Sequence, residues 1–384
     1  MNQRERFRAT AEFGAPDRPF LLPLWAWDET LTRWSGEGLP ADADLVEFFK
    51  TDHEVGAPVA MQGIYGPHLH PALERKILSE MGETYIVRDE EGNTVKLFRD
   101  DSKRSMPAWI AYPMKDRADW EMLIKPRLNA IIPGRHPHDE DWQRYVVEVK
   151  NRDYPLGIWC GSFYGWPRSF LGVERISTLF YDDPGLIHEM CSTIADFTIE
   201  LIAPLLKDVQ FDLAYIWEDM AGKAGPLCSP STYRKFMLPS LKRVTDMLHK
   251  NGVHTIIVDS DGNNDALIPL WIEAGVTGLR PFEIAANCDP VAIRTKYGKH
   301  LIIQGGIDKR ALAKDRQAIE QEVLSKVPWL CLQGGYFPQV DHLVPPDVSL
   351  ENYTFYSRLL RAVVEDPEKS LHIARKKGYW RMET

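Results

Sequence analysis

Eight short apolar runs recur along the chain: Phe20–Trp25, Ala57–Gln62, Leu156–Cys160, Leu213–Trp217, His254–Val258, Val276–Leu279, His300–Gln304 and Gly334–Phe337. Turn residues bound them, and most of the gaps between them carry apolar residues at helical spacing. Eight strands alternating with helices predict an α/β chain folded as a (β/α)8 TIM barrel. In such a barrel, chemistry gathers at the carboxyl ends of the strands. The polar residues that follow each run therefore become candidates: Trp27 and Asp28; His68 and His70; Ser162 and Tyr164; Glu218 and Asp219; Asp259 and Asp261; Arg280; Asp308; Asp341 and His342.

The spacing predicts an N-terminal helix from Gln3 to Phe13 and further helices over Asp42–Lys50, Pro184–Lys207, Pro230–Asn251, Asn264–Ala274, Pro290–Tyr297, Ala313–Ser325 and Leu350–Val364. Gly252, Gly275 and Gly298 stop three of these, as helix-to-strand loops prefer. The segment 71–155 is too long for a simple connection. Its ETYIVRDEEGNTVKLF alternates on both sides of a turn at Glu91–Asn93, which reads as a β-hairpin. Helical pieces over Asp116–Lys125 and Asp139–Val149 follow. The expectation is one domain, residues 1–384, with 71–155 inserted after the second strand as a lid over the mouth.

Three strand-end constellations carry the chemistry. In IWEDMAGKAG, Glu218 and Asp219 end the fourth strand; adjacent strand residues face opposite sides, so only one carboxylate can look into the mouth. In IIVDSDGNN, Asp259 and Asp261 share a side if the chain stays extended, and two such carboxylates must share a proton, hold a cation or face a guanidinium. In QGGYFPQVDHLVPPDV, His342 titrates near neutral pH and sits in a proline-stiffened loop. Around them, Trp25, Trp27, Phe163, Tyr164 and Trp166 supply aromatic walls for an apolar or cationic group. For each of these residues a purely structural role, in a turn or in the core, competes with the functional one. His68 and His70 have the His-x-His spacing of metal-dependent hydrolases, without the later lysine and histidines such sites need.

The bulk composition narrows the partners. At 384 residues, 44% hydrophobic and 26% charged, the chain is ordinary globular material. A net charge of −9 disfavours nucleic acid or an anionic membrane as the main partner. No stretch approaches 18 consecutive apolar residues, and MNQRERFRATAEF has no signal-peptide core. Five scattered cysteines without CxxC spacing point to reduced thiols in a cytoplasm. Cys160, at a strand end, is the one thiol placed near the mouth.

Taken in order, RERFRATAEF with DRPF, GSFYGWPRSFLG, DSDGNNDALIPLWIEAGVTGLRPFE, IIQGGIDKRALA and QGGYFPQVDHLVPPDVSLENY resemble the uroporphyrinogen decarboxylase superfamily over nearly the whole chain. That superfamily includes porphyrinogen decarboxylases and methyltransferases that exchange methyl groups with a corrinoid protein. The resemblance implies a divergent branch between the two. PLWAWDETLTRW stands where decarboxylases carry propionate-gripping arginines, and Arg33 is its only cation. Tyr164 matches the decarboxylase's functional tyrosine, His342 its C-terminal histidine, and Asp52 loosely its key aspartate. Where the methyltransferases have a His-x-Cys zinc pair, this chain has Asp259-x-Asp261, with His342 and Glu218 as further ligands. Carboxylates in place of thiolates make the site harder, suited to hold zinc or another divalent metal or to work without metal as an acid/base pair.

The expectation is therefore a methyltransferase or demethylase acting on a small, partly apolar molecule. His342, Asp261, Tyr164 and Glu218 are its catalytic candidates; Asp259, Asp261, His342 and Glu218 its metal candidates; Trp25, Trp27, Phe163, Trp166 and Arg280 its pocket. A corrinoid would enter only on a partner protein, and a homodimer stays open. The alternative is a decarboxylase of a smaller carboxylate, using Tyr164, His342 and Asp52 or Arg280. A barrel that only binds its ligand is a third reading.

Overall fold

A computed structural model describes residues 1–56, 69–100, 106–131 and 140–380. Its strands, in chain order, are β1 (Val55–Gly56), β2 (Lys76–Met81), β3 (Thr84–Arg88), β4 (Thr94–Phe98), β5 (Ala108–Ala111), β6 (Leu156–Trp159), β7 (Leu213–Trp217), β8 (Ala221–Gly222), β9 (Gly225–Pro226), β10 (Thr255–Asp259), β11 (Gly278–Arg280), β12 (Ile302–Gln304) and β13 (Tyr336–Phe337).

Seven of them form one parallel, curled sheet in the order β1-β6-β7-β10-β11-β12-β13. Six of the eight apolar runs supply its strands from β6 onward. The run Ala57–Gln62 lies outside the described residues, immediately after β1. The run Phe20–Trp25 forms no ladder, and Pro23 gives a reason, since it lacks the N–H that a strand interior needs. It instead lies between the two edges of the sheet. Leu21 O accepts from Asp52 N at 2.8 Å beside β1, while Trp25 O and Trp27 N pair with Val344 at 2.8 and 3.2 Å beyond β13.

Alternation along the strands sorts the core into two. Leu213, Tyr215, Ile257, Ile302 and Phe337 turn to the concave side, where Phe7, Ala11 and Phe20 join them. Ala214, Ile216, Ile256, Val258, Leu279 and Ile303 pack under the surrounding helices. The helix Gln3–Ala11 thus seats Phe7 and Ala11 at the amino-terminal end of the sheet. There Asp212 collects Arg4 at 2.9 Å, Arg8 at 2.7 Å and Arg152 at 2.6 Å.

The helices depart from the sequence reading mainly where proline or a turn interrupts them. Pro184–Lys207 becomes Pro184–Ile202 and Leu205–Asp208, parted at Pro204; Pro230–Asn251 becomes Pro230–Phe236 and Leu238–Lys250. Helices Asp28–Gly36, Gly165–Asp182, Val327–Gln333 and Pro367–Lys376 are additional.

Within residues 71–155 the expected hairpin is β3–β4, paired from Thr84↔Phe98 to Arg88↔Thr94. β2 and β5 flank it in a four-stranded antiparallel sheet separate from the parallel one. The chain then runs along the helices Gly165–Asp182 and Pro184–Ile202. Met114 N bonds Phe170 O at 3.1 Å, and Arg117 reaches Asp183 and Glu189 at 3.0 and 2.7 Å. No helix among the described residues is long and apolar enough to cross a membrane.

Candidate active site

Asp261 and His342 meet beyond the carboxyl ends of β10 and β13. His342 Nε2 lies 3.2 Å from Asp261 Oδ2. The turn that carries Asp261 is fixed from several sides. Gly262 has φ +76°, and a Cβ there would stand 2.4 Å from the Ala221 carbonyl oxygen, so the position admits only glycine. The Asn264 amide donates to the carbonyls of Ser260, Asp261 and Gly262 at 2.7, 3.1 and 3.2 Å. Glu283 accepts from Gly262 N at 3.0 Å and is itself 3.3 Å from Lys309 Nζ.

The loop bearing His342 is held by its neighbour. Asp341 is buried and accepts from Ile284 N at 2.9 Å and Lys309 N at 3.0 Å. On the imidazole's flanks stand Trp25 and Trp27, with ring centroids at 5.5 and 6.1 Å. Burial disfavours a charged imidazole, but the hydrogen bond and charge of Asp261 outweigh it, and the pKa of His342 rises above its ordinary value. The pair is therefore suited to hold and deliver a proton.

Below this pair the concave interior carries a second polar group. Arg280 lies between two aromatic faces, 4.4 Å from the Trp25 ring centroid and 5.3 Å from that of Tyr215. Its Nε is 3.5 Å from Asp259 Oδ2. Burial pushes the Asp259 carboxyl up to about 6, against the pull of Arg280. Glu54, just before β1, accepts from the Tyr215 hydroxyl at 2.9 Å, and burial raises its pKa as well. Glu54 precedes its apolar run, so the rule that places site residues after each run does not reach it.

A model of the uroporphyrinogen decarboxylase (URO-D) family matches residues 102–363. The chain belongs to that family. A uroporphyrinogen decarboxylase from Nostoc sp. (strain PCC 7120) is 25% identical over 258 residues, covering 64% of this chain and 69% of the relative. One from Legionella pneumophila (strain Corby) is 22% identical over 234 residues, covering 58% of this chain and 62% of the relative. Among solved structures, a methyltransferase from Methanosarcina mazei superposes with a TM-score of 0.59 at 12% identity, over 94% of this chain and 99% of its own. That likeness is one of fold.

Against this family background, the remaining sequence candidates divide clearly. Asp259, Asp261, His342, Arg280, Trp25 and Trp27 gather on the concave side and at its rim. Glu218 does not join them. With Leu213 and Tyr215 facing inward, alternation turns Glu218 toward the helices. Its carboxylate accepts from Tyr164 N at 2.7 Å, Phe163 N at 3.2 Å, Ser162 Oγ at 3.3 Å and Tyr233 Oη at 3.3 Å. It satisfies the first amides of the helix Gly165–Asp182, whose donors have no partner inside the helix. Tyr164, Phe163 and Trp166 are likewise buried in the core under the helices, at 0%, 0% and 1% exposure. Asp219 pairs with Arg168 at 2.6 Å.

Nor do the four expected metal ligands converge. Among the described residues no three His, Cys, Asp or Glu side chains come together as one ion would require. Glu218 lies behind the sheet, and Asp259 faces Arg280. These four side chains therefore do not form a site for one zinc or other divalent metal. His68 falls outside the described residues. Asp52, expected in the mouth as one alternative, is buried at the amino-terminal end, bound by Arg6 at 2.9 Å, Arg18 at 2.6 Å and Leu21 N at 2.9 Å. Cys160 is buried, and burial pushes its thiol well up.

Proposed function

We propose that this member of the uroporphyrinogen decarboxylase family is an enzyme in which His342 delivers a proton as a methyl group leaves a small, partly apolar substrate. The observation that carries this reading is the Asp261–His342 pair, 3.2 Å apart between two indoles. When the bond from methyl to oxygen or nitrogen breaks, its electrons remain on the heteroatom, and protonation there by His342 lowers the barrier. A reduced corrinoid on a partner protein would serve as methyl acceptor and would supply the electron pair for the new bond. Trp25 and Trp27 furnish apolar walls, while Glu54, Asp259 and Asp261 would repel a polycarboxylate.

Decarboxylation is the second reading, favoured by the family match and by the names of the curated relatives. There the electron pair left by departing CO2 remains on carbon, and His342 protonates that carbon. Uroporphyrinogen itself is not the proposed substrate: Arg33, the one cation in the segment 25–34, is paired with Glu37 at 2.6 Å. With either reaction we place the sheet in a closed (β/α)8 barrel, residues 71–155 as its lid, and the enzyme in the cytoplasm, where its five free thiols remain reduced.

The deciding experiment incubates purified protein, with and without a corrinoid acceptor protein, with methylated and carboxylated small molecules. Demethylated product that depends on the acceptor supports the first reading; CO2 without demethylation supports the second. In either case His342→Ala lowers the rate by roughly 10²–10⁴-fold.

A further inference from the structure

Asp259 is 7% exposed, yet among the described residues no hydrogen-bond donor reaches its carboxylate. The nearest cationic atom, Arg280 Nε, stands 3.5 Å away and is itself buried without an acceptor. Buried polar groups are almost always satisfied, and a guanidinium Nε left without an acceptor beside a carboxylate that accepts no hydrogen bond marks a place where something else bonds. The surroundings are those of a binding recess. Arg280 lies over the rings of Trp25 and Tyr215, and Trp159 stacks on Tyr215 at 5.0 Å. Glu54, Trp159 and Arg280 all keep part of their surface open, although they belong to the concave interior.

We propose that this recess binds a small zwitterion of the amino-carboxylate class, its carboxylate on the edge of Arg280 and its ammonium on Asp259 and Glu54. The assignment rests on the reading of this mouth as the substrate site, and it holds for either reaction. A simple anion would meet Arg280 but lie against two carboxylates. A simple cation would leave Arg280 Nε without an acceptor. The two stations are only 3.5 Å apart, so the ligand's charged groups belong one carbon apart, as in an α-amino acid or its N-methyl derivative. The face of Trp159 turned away from Tyr215 accommodates the apolar substituents, including methyl groups on nitrogen.

The test is calorimetric binding to the full-length protein with three probes of similar shape: N,N-dimethylglycine, its anionic isostere isovalerate, and the cation N,N-dimethylethylamine. Dimethylglycine should bind at least about tenfold more tightly than either, as one added charged hydrogen bond allows. Asp259→Asn should remove that advantage while isovalerate still binds, which also shows that the variant is folded. Arg280→Met should weaken both carboxylates. Equal binding of dimethylglycine and isovalerate, equal binding of the amine, an unaffected Asp259→Asn variant, or no binding of any probe would each overturn the assignment. Binding without turnover leaves the recess standing and counts against the proposed reaction. Turnover of a substrate lacking either charge does the reverse.

Discussion

His342 Nε2 and Asp261 Oδ2 are 3.2 Å apart although 81 positions separate them in the chain. Two loops from non-adjacent strands of one sheet bring them together, and each loop is tied down by its own carboxylate: Glu283 on the Gly262 amide, Asp341 on the Ile284 and Lys309 amides. A hydrogen-bonded pair positioned this rigidly keeps its proton at one place, as general acid chemistry requires.

The charge state of His342 should set the alkaline limit of activity. Its pKa is raised, so the imidazolium survives to higher pH than in the unfolded chain. The stability from the pair is fully present below the unfolded histidine's pKa and is lost as pH rises through the folded value. If the imidazolium is the working acid, kcat/KM falls through that same window. Asp261→Asn should shift both the fall in kcat/KM and the NMR titration of the His342 ring to lower pH. An unchanged ring titration would refute the coupling.

Metal dependence should be absent. The candidate ligands do not converge on one point, so dialysis against a chelator should leave turnover unchanged. Asp261→Asn should lose rate without recovery on adding zinc or magnesium. A stoichiometric metal in the purified protein, lost together with activity, would contradict this.

The strand pattern made much of this site legible. Alternation in LAYIW and TIIVD turned Tyr215 and Ile257 inward, and the strand-end rule located Asp259, Asp261, Arg280 and His342. The same alternation, counted on from Tyr215, sends Glu218 outward, so its parity and not its strand-end position decides which side it faces. Tyr164, Phe163 and Trp166 follow a strand end as loop residues do, but the helix beginning at Gly165 draws them into the core. Asp52 shows the limit of local reading. Its partners Arg6 and Arg18 lie 46 and 34 positions away, and only the folded chain reveals that it is an ion-pair centre.

Asp52 should accordingly matter for stability and not for chemistry. It is buried between two arginines that are themselves largely buried. Removing one partner of such a group strands the others, at a cost of about 3–5 kcal/mol. Asp52→Asn should lower the unfolding free energy by about that amount in urea. The NMR titration of His342 should stay in place, because Asp52 lies at the opposite end of the sheet. A displaced His342 titration would return Asp52 to the functional site.

Glu218 offers a sharper test, because its burial leaves a signature in pH. Burial pushes its carboxyl up to about 7 from an ordinary 4.5, even though backbone amides of Phe163 and Tyr164 pull the other way. Between those values the native state holds a proton that the unfolded chain has released, so stability falls as pH rises from about 4.5 to about 7. At about 1.4 kcal/mol per unit, the displacement amounts to about 3 kcal/mol. Glu218→Gln cannot titrate, while its amide oxygen can still accept from the Tyr164 amide. Its unfolding free energy should therefore decline less than the wild type's when urea titrations at pH 5 and pH 7.5 are compared. Other buried carboxylates such as Asp259 contribute to both proteins alike, so the difference isolates this one group. Parallel pH curves for the two proteins would mean that Glu218 is ionised throughout, held by those amides alone.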